Sequence, residues 1–346
     1  MFSPTKQNYL LAFSAIVLAS YVGMNMKQPF TNNDEYDLIR KYLLNDSPLY
    51  GFNKPKLWIH SKYEVNSRHW KSFQSRTSTD LNQPYLHLTI KTIINHCGKD
   101  FNICLIDDDS FSKLLPSWDI DLPTVTEPHK SYYRELGMLK LIYYYGGVVV
   151  PNSFLCTKSL KPLLQDSISE KTPFLCEKLN RTLSQSKDNG SSSLFIPSVH
   201  FMGAKKNDET IKELIEYLKN RNMSPHFSSD AMFTGDTSHW CMGAVKRGKI
   251  KVIGGEQIGI KTQSGKPILL EELMEENYLD LVKSPYGIYI PADEILHRPK
   301  FQWFAAISSE EVFKTNAIIA KHLKASIVDS NSEYITPTAI KSVVSI

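Results

Sequence analysis

The sequence predicts an α/β protein built on a mostly parallel central sheet, preceded by one N-terminal hydrophobic helix. Three observations lead there. Short apolar, strand-like runs alternate with helical stretches between Leu57 and Ile253. One of those runs, Val148–Val150, is uninterrupted valine held between Gly146-Gly147 and Pro151, the pattern of a strand buried on both faces. The 346 residues are 42% hydrophobic and 22% charged, enough for one large core or two modest ones. Lys and Arg total 40 against 36 Asp and Glu, a net charge of +4 with no long single-sign run, which does not point to nucleic acid as a partner. The five cysteines, Cys97, Cys104, Cys156, Cys176 and Cys241, contain no C-x-x-C pair. Neither a disulfide scaffold nor a zinc knuckle is indicated, and the odd number leaves at least one thiol free or paired with another chain.

Taken in order, residues 1–8 form a short tail before the uncharged stretch Tyr9–Met24, which lies between Lys6 and Lys27. A helix of that length reaches roughly 24 Å, short of the ~30 Å hydrocarbon core unless its flanks snorkel. The expected reading of residues 9–26 is an uncleaved signal anchor; a signal peptide cleaved after Ser20 and a buried helix are its rivals. Leu18 stands where a small residue would favour cleavage. Lys6 and Lys27 nearly balance, so a type II orientation with the body in a secretory-pathway lumen is only a weak preference, and the sequons at Asn45, Asn180, Asn189 and Asn222 suit that placement. A cellular secretory protein and a protein of a large DNA virus particle both remain open.

Residues 27–54 read as a stalk containing one amphipathic helix, Asp34–Leu44. The body, residues 55–325, then alternates: strand Leu57–His60, helix Ser67–Arg76, helix Pro84–His96 opened by proline, and strand Phe101–Ile106 ending in Asp107-Asp108-Asp109. Helix Tyr132–Tyr145 stops at Gly146-Gly147, and strand Val148–Val150 stops at Pro151. The segment Leu183–Ser193 is too polar and too rich in glycine and serine to pack, so it reads as a surface loop between two halves of one domain. Beyond it the spacing predicts strand Ser198–Ala204, helices Asn207–Arg221 and Ser238–Lys246, strand Ile250–Ile253, one helix over Val312–Ala325, and an irregular tail over residues 326–346.

The block RELGMLKLIYYYGGVVVPNSFLC at Arg134–Cys156 resembles the helix, Gly-Gly turn and strand of glycosyltransferases with a DXD-containing sugar-binding region, including the capsular polysaccharide synthesis proteins. KLWIH at Lys56–His60, HFMGAKKND at His200–Asp208, FTGD at Phe233–Asp236 and LHRPKFQWF at Leu296–Phe304 resemble further segments of that family in the same order. The resemblance implies a GT-A-like, Rossmann-type fold, a nucleotide-sugar donor, a glycan or glycoprotein acceptor and a divalent metal, Mn²⁺ or Mg²⁺. It implies catalytic roles for Asp236 and His297. Donor binding is implied for Glu135, Tyr145, Gly146, Gly147, Asn152, Ser153, Arg298 and Lys300.

The family pattern S-D-x-x-R-x-x-x-L-x-x-x-G-G-x-x-x-D-x-D is eroded where it carries chemistry. Glu135 replaces the first Asp, Met138 the Arg, and Pro151-Asn152-Ser153 the D-x-D. A D-x-D at a strand end holds the cation that neutralises the departing diphosphate, and proline has no side-chain ligand to offer. Three readings follow. A metal-independent transferase would use the cations Arg298 and Lys300 beside His297, unless these are an ordinary solvated surface patch. A displaced metal site would use Asp107 and Asp109, unless these cap the helix that follows. A protein that keeps the fold without catalysis would bind glycans or serve in assembly. Gly146-Gly147 is too short to cradle a phosphate and suits a helix C-cap, and Tyr143-Tyr144-Tyr145 suits core packing better than sugar stacking.

Overall fold

The computed structural model describes residues 54–61, 83–127, 129–180, 194–222 and 230–328; the side chains of 221–222 and 230–236 are outside that description. The hydrophobic stretch Tyr9–Met24, the helices expected at Asp34–Leu44 and Ser67–Arg76, the polar loop Leu183–Ser193 and the tail beyond residue 328 lie outside the described residues. Among the described residues, no helix is long and apolar enough to cross a membrane.

The chain enters the described body through β1 (Lys56–His60), then α1 (Tyr85–Cys97), β2 (Asn102–Ile106) and the short α2 (Ser110–Leu114). Pro84, with φ of −58°, already has the backbone angle a helix needs, so it starts α1 without strain. The long α3 (His129–Tyr145) leads into β3 (Gly147–Val149). There follow β4 (Phe154–Cys156), α4 (Lys161–Glu170), β5 (Phe174–Leu179), β6 (Phe195–Ala204), α5 (Glu209–Asn222), α6 (Asp230–Lys246) and β7 (Lys251–Ile253). The C-terminal part adds α7 (Leu270–Met274), β8 (Gly287–Tyr289), α8 (Ala292–His297), α9 (Gln302–Ala306), α10 (Ser309–Val312) and α11 (Ile318–Val328).

Six strands form the central sheet in the order β2-β1-β3-β6-β5-β7. β1 pairs in parallel with β2 and β3, and β5 in parallel with β7, while β6 is antiparallel to both β3 and β5. Five strands therefore run one way and β6 the other. The fold is α/β with a mostly parallel sheet, as expected from the alternation of elements. Leu57 and Ile59 of β1 pack with Val148, Val150 and helix α1 on one face, and Trp58 packs with Val149 and helices α3 and α6 on the other. Burial on both faces explains why these strands read as continuous apolar runs. A third cluster, including Tyr85, Ile288, Phe304 and Leu323, joins β8 to the C-terminal helices.

Gly146 and Gly147 make the reversal from α3 into β3, with φ of +71° and +105°. A Cβ on Gly147 would stand 2.1 Å from the carbonyl oxygen of Lys56, so only glycine lets β3 lie against β1 here. One strand was not anticipated, and one expected helix changes. β5, with sequence FLCEKL, has only a three-residue apolar start before charge interrupts it, and its strand character comes from pairing with β6 and β7. The helix expected over Val312–Ala325 begins later, as α11 at Ile318, and Val312 instead ends the separate α10. Ser308 and Glu311 close a capping box on α10, and the chain turns through residues 313–317 before α11 starts.

Candidate functional site

In an open α/β sheet, ligands bind outside the carboxyl ends of the strands, where the strand order reverses. Here the order reverses at β1, which has β2 on one side and β3 on the other. The carboxyl edge brings together His60, Asp107, Asp108, Asn152 and, at the end of β5, Lys178. The N-terminal half of α3 lies over the same edge, because Arg134 reaches Asp108.

Asp108 is the electrostatic centre of this edge. Arg134 holds it with two parallel hydrogen bonds, Nε to Oδ1 at 2.8 Å and Nη2 to Oδ2 at 2.6 Å, and His60 Nε2 lies 2.9 Å from Oδ1. Burial pushes the Asp108 carboxyl up, but the guanidinium and the imidazole outweigh it and hold it well below the usual carboxylate range. The His60 ring stacks on Phe111, with centroids 5.6 Å apart. This cluster ties β1, β2 and α3 together at the edge. Its charges are largely balanced within the cluster.

Asp107 serves α2: its Oδ1 accepts from the Ser110 amide at 2.9 Å and from the Ser110 hydroxyl at 2.6 Å. Asp109 is exposed. At the end of β3, the amide of Phe154 closes a turn on the Pro151 carbonyl at 3.1 Å, and the Asn152 carbonyl accepts from Thr89 Oγ1. Ser153 is buried, and its carbonyl accepts from the Ile290 amide. The turn at Pro151-Asn152-Ser153 thus has no carboxylate, and its backbone oxygens serve neighbouring donors. Among the described residues, no group of three His, Cys, Asp or Glu side chains is placed to hold a metal ion. The donor set at this turn does not fit Mn²⁺ or Mg²⁺.

A cavity of about 150 Å³ lies beside this edge, lined in part by Lys178, Ile260, Tyr289, Pro291, Asp293 and Glu294. Drug-sized ligands occupy pockets of ~300–1,000 Å³, so this space suits one ring or phosphate group of a larger ligand. Asn152 is not in its wall, though the following residues are close: Tyr289 pairs with Phe154 across β4 and β8. The sequence reading missed Lys178, Tyr289 and Asp293. Lys178 lies in the strand whose pattern is weakest, and Asp293 is brought to it by a segment more than 100 residues later.

The remaining expected residues separate into groups. Tyr145, Gly146 and Gly147 are at the amino end of β3, the opposite edge from Asn152 and Ser153, so the structure does not bring the two sets together. Tyr145 donates to the Leu114 carbonyl at 2.6 Å and packs on Trp58, whose Nε1 donates to the Gly146 carbonyl at 3.0 Å. These are the contacts of a packed turn. Glu135 is buried, with no hydrogen-bond partner on Oε1, and burial pushes its carboxyl up to about 7 against the opposing pull of Lys178. Asp236 lies within α6, so FTGD is helical, and its side chain is outside the described residues.

His297 is exposed at the end of α8, its Nδ1 2.7 Å from the carbonyl of Asp293. Arg298 is gripped by Glu271 through both terminal guanidinium nitrogens and by Glu294 Oε1 at 2.8 Å. Its guanidinium lies over the Phe301 ring, and the exposed Lys300 ammonium stands 5.2 Å from the same ring. Arg298 therefore meets two carboxylates before it meets any phosphate.

The described residues define an α/β protein with a small cavity at the carboxyl edge of its sheet, and among them no carboxylate set is placed for a metal. No family model and no curated protein matches the chain. Among solved structures it is similar to the PaToxG glycosyltransferase, with a TM-score of 0.32 and 12% identity over 63% of this chain and 80% of that one.

Proposed function

We propose that this protein is a glycosyltransferase-like protein that takes a nucleotide-sugar donor at the carboxyl edge and transfers the sugar to a glycan or glycoprotein acceptor without a divalent metal. The observation that carries this reading is the cavity at the carboxyl end of β5, which holds Lys178 together with the carboxylates Asp293 and Glu294 on the edge of the sheet where α/β folds bind ligands. The order of motif-like segments from Lys56 to Phe304 supports it. In such a transfer the acceptor oxygen attacks the anomeric carbon, the bond from that carbon to the diphosphate oxygen breaks, and the hydroxyl proton passes to a base. Lys178 supplies one positive charge toward the departing diphosphate, opposed by the carboxylates Asp293 and Glu294 of the same wall. Asp293, an exposed residue of the cavity wall, takes the acceptor proton. We assign the stretch Tyr9–Met24 to a type II membrane anchor that holds this body in a secretory-pathway lumen.

Calorimetry with a panel of nucleotide sugars, with Mn²⁺ and with EDTA, tests the donor site. The expected result is binding to one donor that EDTA leaves unchanged, with donor hydrolysis or transfer reduced on the order of 10²-fold by Lys178→Ala. Activity abolished by EDTA overturns the metal-free reading. A second reading, a GT-A-like protein without catalysis that binds glycans or serves in assembly, is favoured by the internal balance of charge at Asp108 and Arg298. Absence of heat with every donor decides for it.

A further inference from the structure

Cys97 is the last residue of α1 and Cys156 the last of β4, and their sulfurs stand 3.8 Å apart although 59 positions separate them in the chain. Both side chains are fully buried in the cluster that packs α1 against the sheet. Three hydrogen bonds fix Cys156, two through its backbone and one through its thiol. Its amide donates to Thr92 Oγ1 at 2.9 Å, its carbonyl accepts from Ser326 Oγ at 2.6 Å, and its thiol donates to the Lys158 carbonyl at 3.1 Å. The two thiols are thus presented to each other by elements fixed independently of them. A disulfide needs its sulfurs ~2.05 Å apart and its Cβ atoms ~3.5–4.5 Å apart, and thiols already in van der Waals contact approach that geometry by side-chain rotation. Cys104 and Cys241 pack on the other face of the sheet, with Trp58.

We propose that Cys97 and Cys156 are a disulfide-forming pair, oxidised by a small-molecule disulfide such as glutathione disulfide as the chain folds. One cysteine thiolate attacks glutathione disulfide, giving a mixed disulfide and releasing one glutathione thiolate. The second cysteine, having lost its proton to solvent, attacks the protein sulfur of the mixed disulfide and expels the second glutathione thiolate. The protein loses two electrons and two protons; the electrons reduce glutathione disulfide to two glutathiones. Burial and the neighbouring Cys97 thiol push the Cys156 thiol well above its ordinary value, so the thiolate is scarce in the folded protein and exchange belongs to the folding stage. The bond would tie α1 to β4. These elements flank the turn at Asn152, whose carbonyl already receives the Thr89 hydroxyl of α1. The pairing is independent of any donor chemistry.

The test is to refold the full chain in detergent from denaturant, in reduced and in oxidised glutathione buffers, followed by alkylation, intact-mass measurement and peptide mapping. The expected product in oxidised buffer has Cys104, Cys176 and Cys241 alkylated and a cross-linked peptide joining Cys97 to Cys156. Its thermal midpoint should exceed that of the reduced protein, and Cys97→Ala should abolish the difference. Five alkylated cysteines in oxidatively refolded protein with native circular dichroism, or a cross-link between any other pair, overturns the proposal. The peptide map needs only the unaltered chain, so the test stands even where the alanine variant fails to fold.

Discussion

Glu135 shows how one buried group couples this fold to pH. Its carboxyl is raised from 4.5 to about 7 by desolvation. Between those values the folded protein keeps a proton that the unfolded chain has released, so stability is fully present below pH 4.5 and is lost as pH rises through 7. A shift of this size corresponds to on the order of 3 kcal/mol. Urea unfolding of the wild type should therefore show a lower midpoint above pH 7 than near pH 4.5, with a slope that Glu135→Gln removes; equal slopes in the two proteins would refute the assignment. Arg134 illustrates the opposite case, a charge with a defined partner. Arg134→Ala would leave Asp108, 23% exposed, with only His60 as its ionic partner among the described residues, at a cost of about 2 kcal/mol once solvent screening is allowed for. Arg134→Lys should recover part of that in chemical denaturation, because lysine restores the charge without the two parallel bonds.

At the scale of elements, the reversal from α3 into β3 is the most constrained joint. Gly147→Ala must fit a Cβ against the Lys56 carbonyl at 2.1 Å while holding φ at +105°, an angle that alanine rarely adopts. Separation of β3 from β1 is the expected response, with a loss of more than about 2 kcal/mol and increased amide exchange at Trp58 and Val150. An alanine variant with wild-type stability and exchange would show that the strands do not need this close approach. The elements were legible in proportion to how far their own residues specify them. The valines of β3, the apolar run of β2 and the proline-opened α1 state their character locally. In β5 the sequence FLCEKL carries Glu177 and Lys178 within a strand whose partners are β6 and β7, so its pairing depends on residues elsewhere in the chain.

For the whole molecule, the relation to a membrane rests on Tyr9–Met24. If this stretch anchors the chain, the full-length protein should stay with membranes through carbonate extraction, and a chain truncated to begin at Lys54 should be released. A mature protein starting just after Ser20 would replace the anchor with a cleaved signal.

What the sequence determined by itself was the α/β class, the central valine strand, the Gly-Gly turn and the absence of carboxylates from Pro151-Asn152-Ser153. Each depends on residues adjacent in the chain, where periodicity and side-chain chemistry act directly. Only the tertiary structure decided which charges meet. It placed Tyr145 and Asn152 at opposite ends of one strand and closed Arg298 between Glu271 and Glu294. It also joined Asp108 to Arg134 and put Lys178 and Asp293 in the wall of one cavity. Those pairings depend on strand order and on where distant loops return, and electrostatic energy follows distance in space, on which separation along the chain is silent.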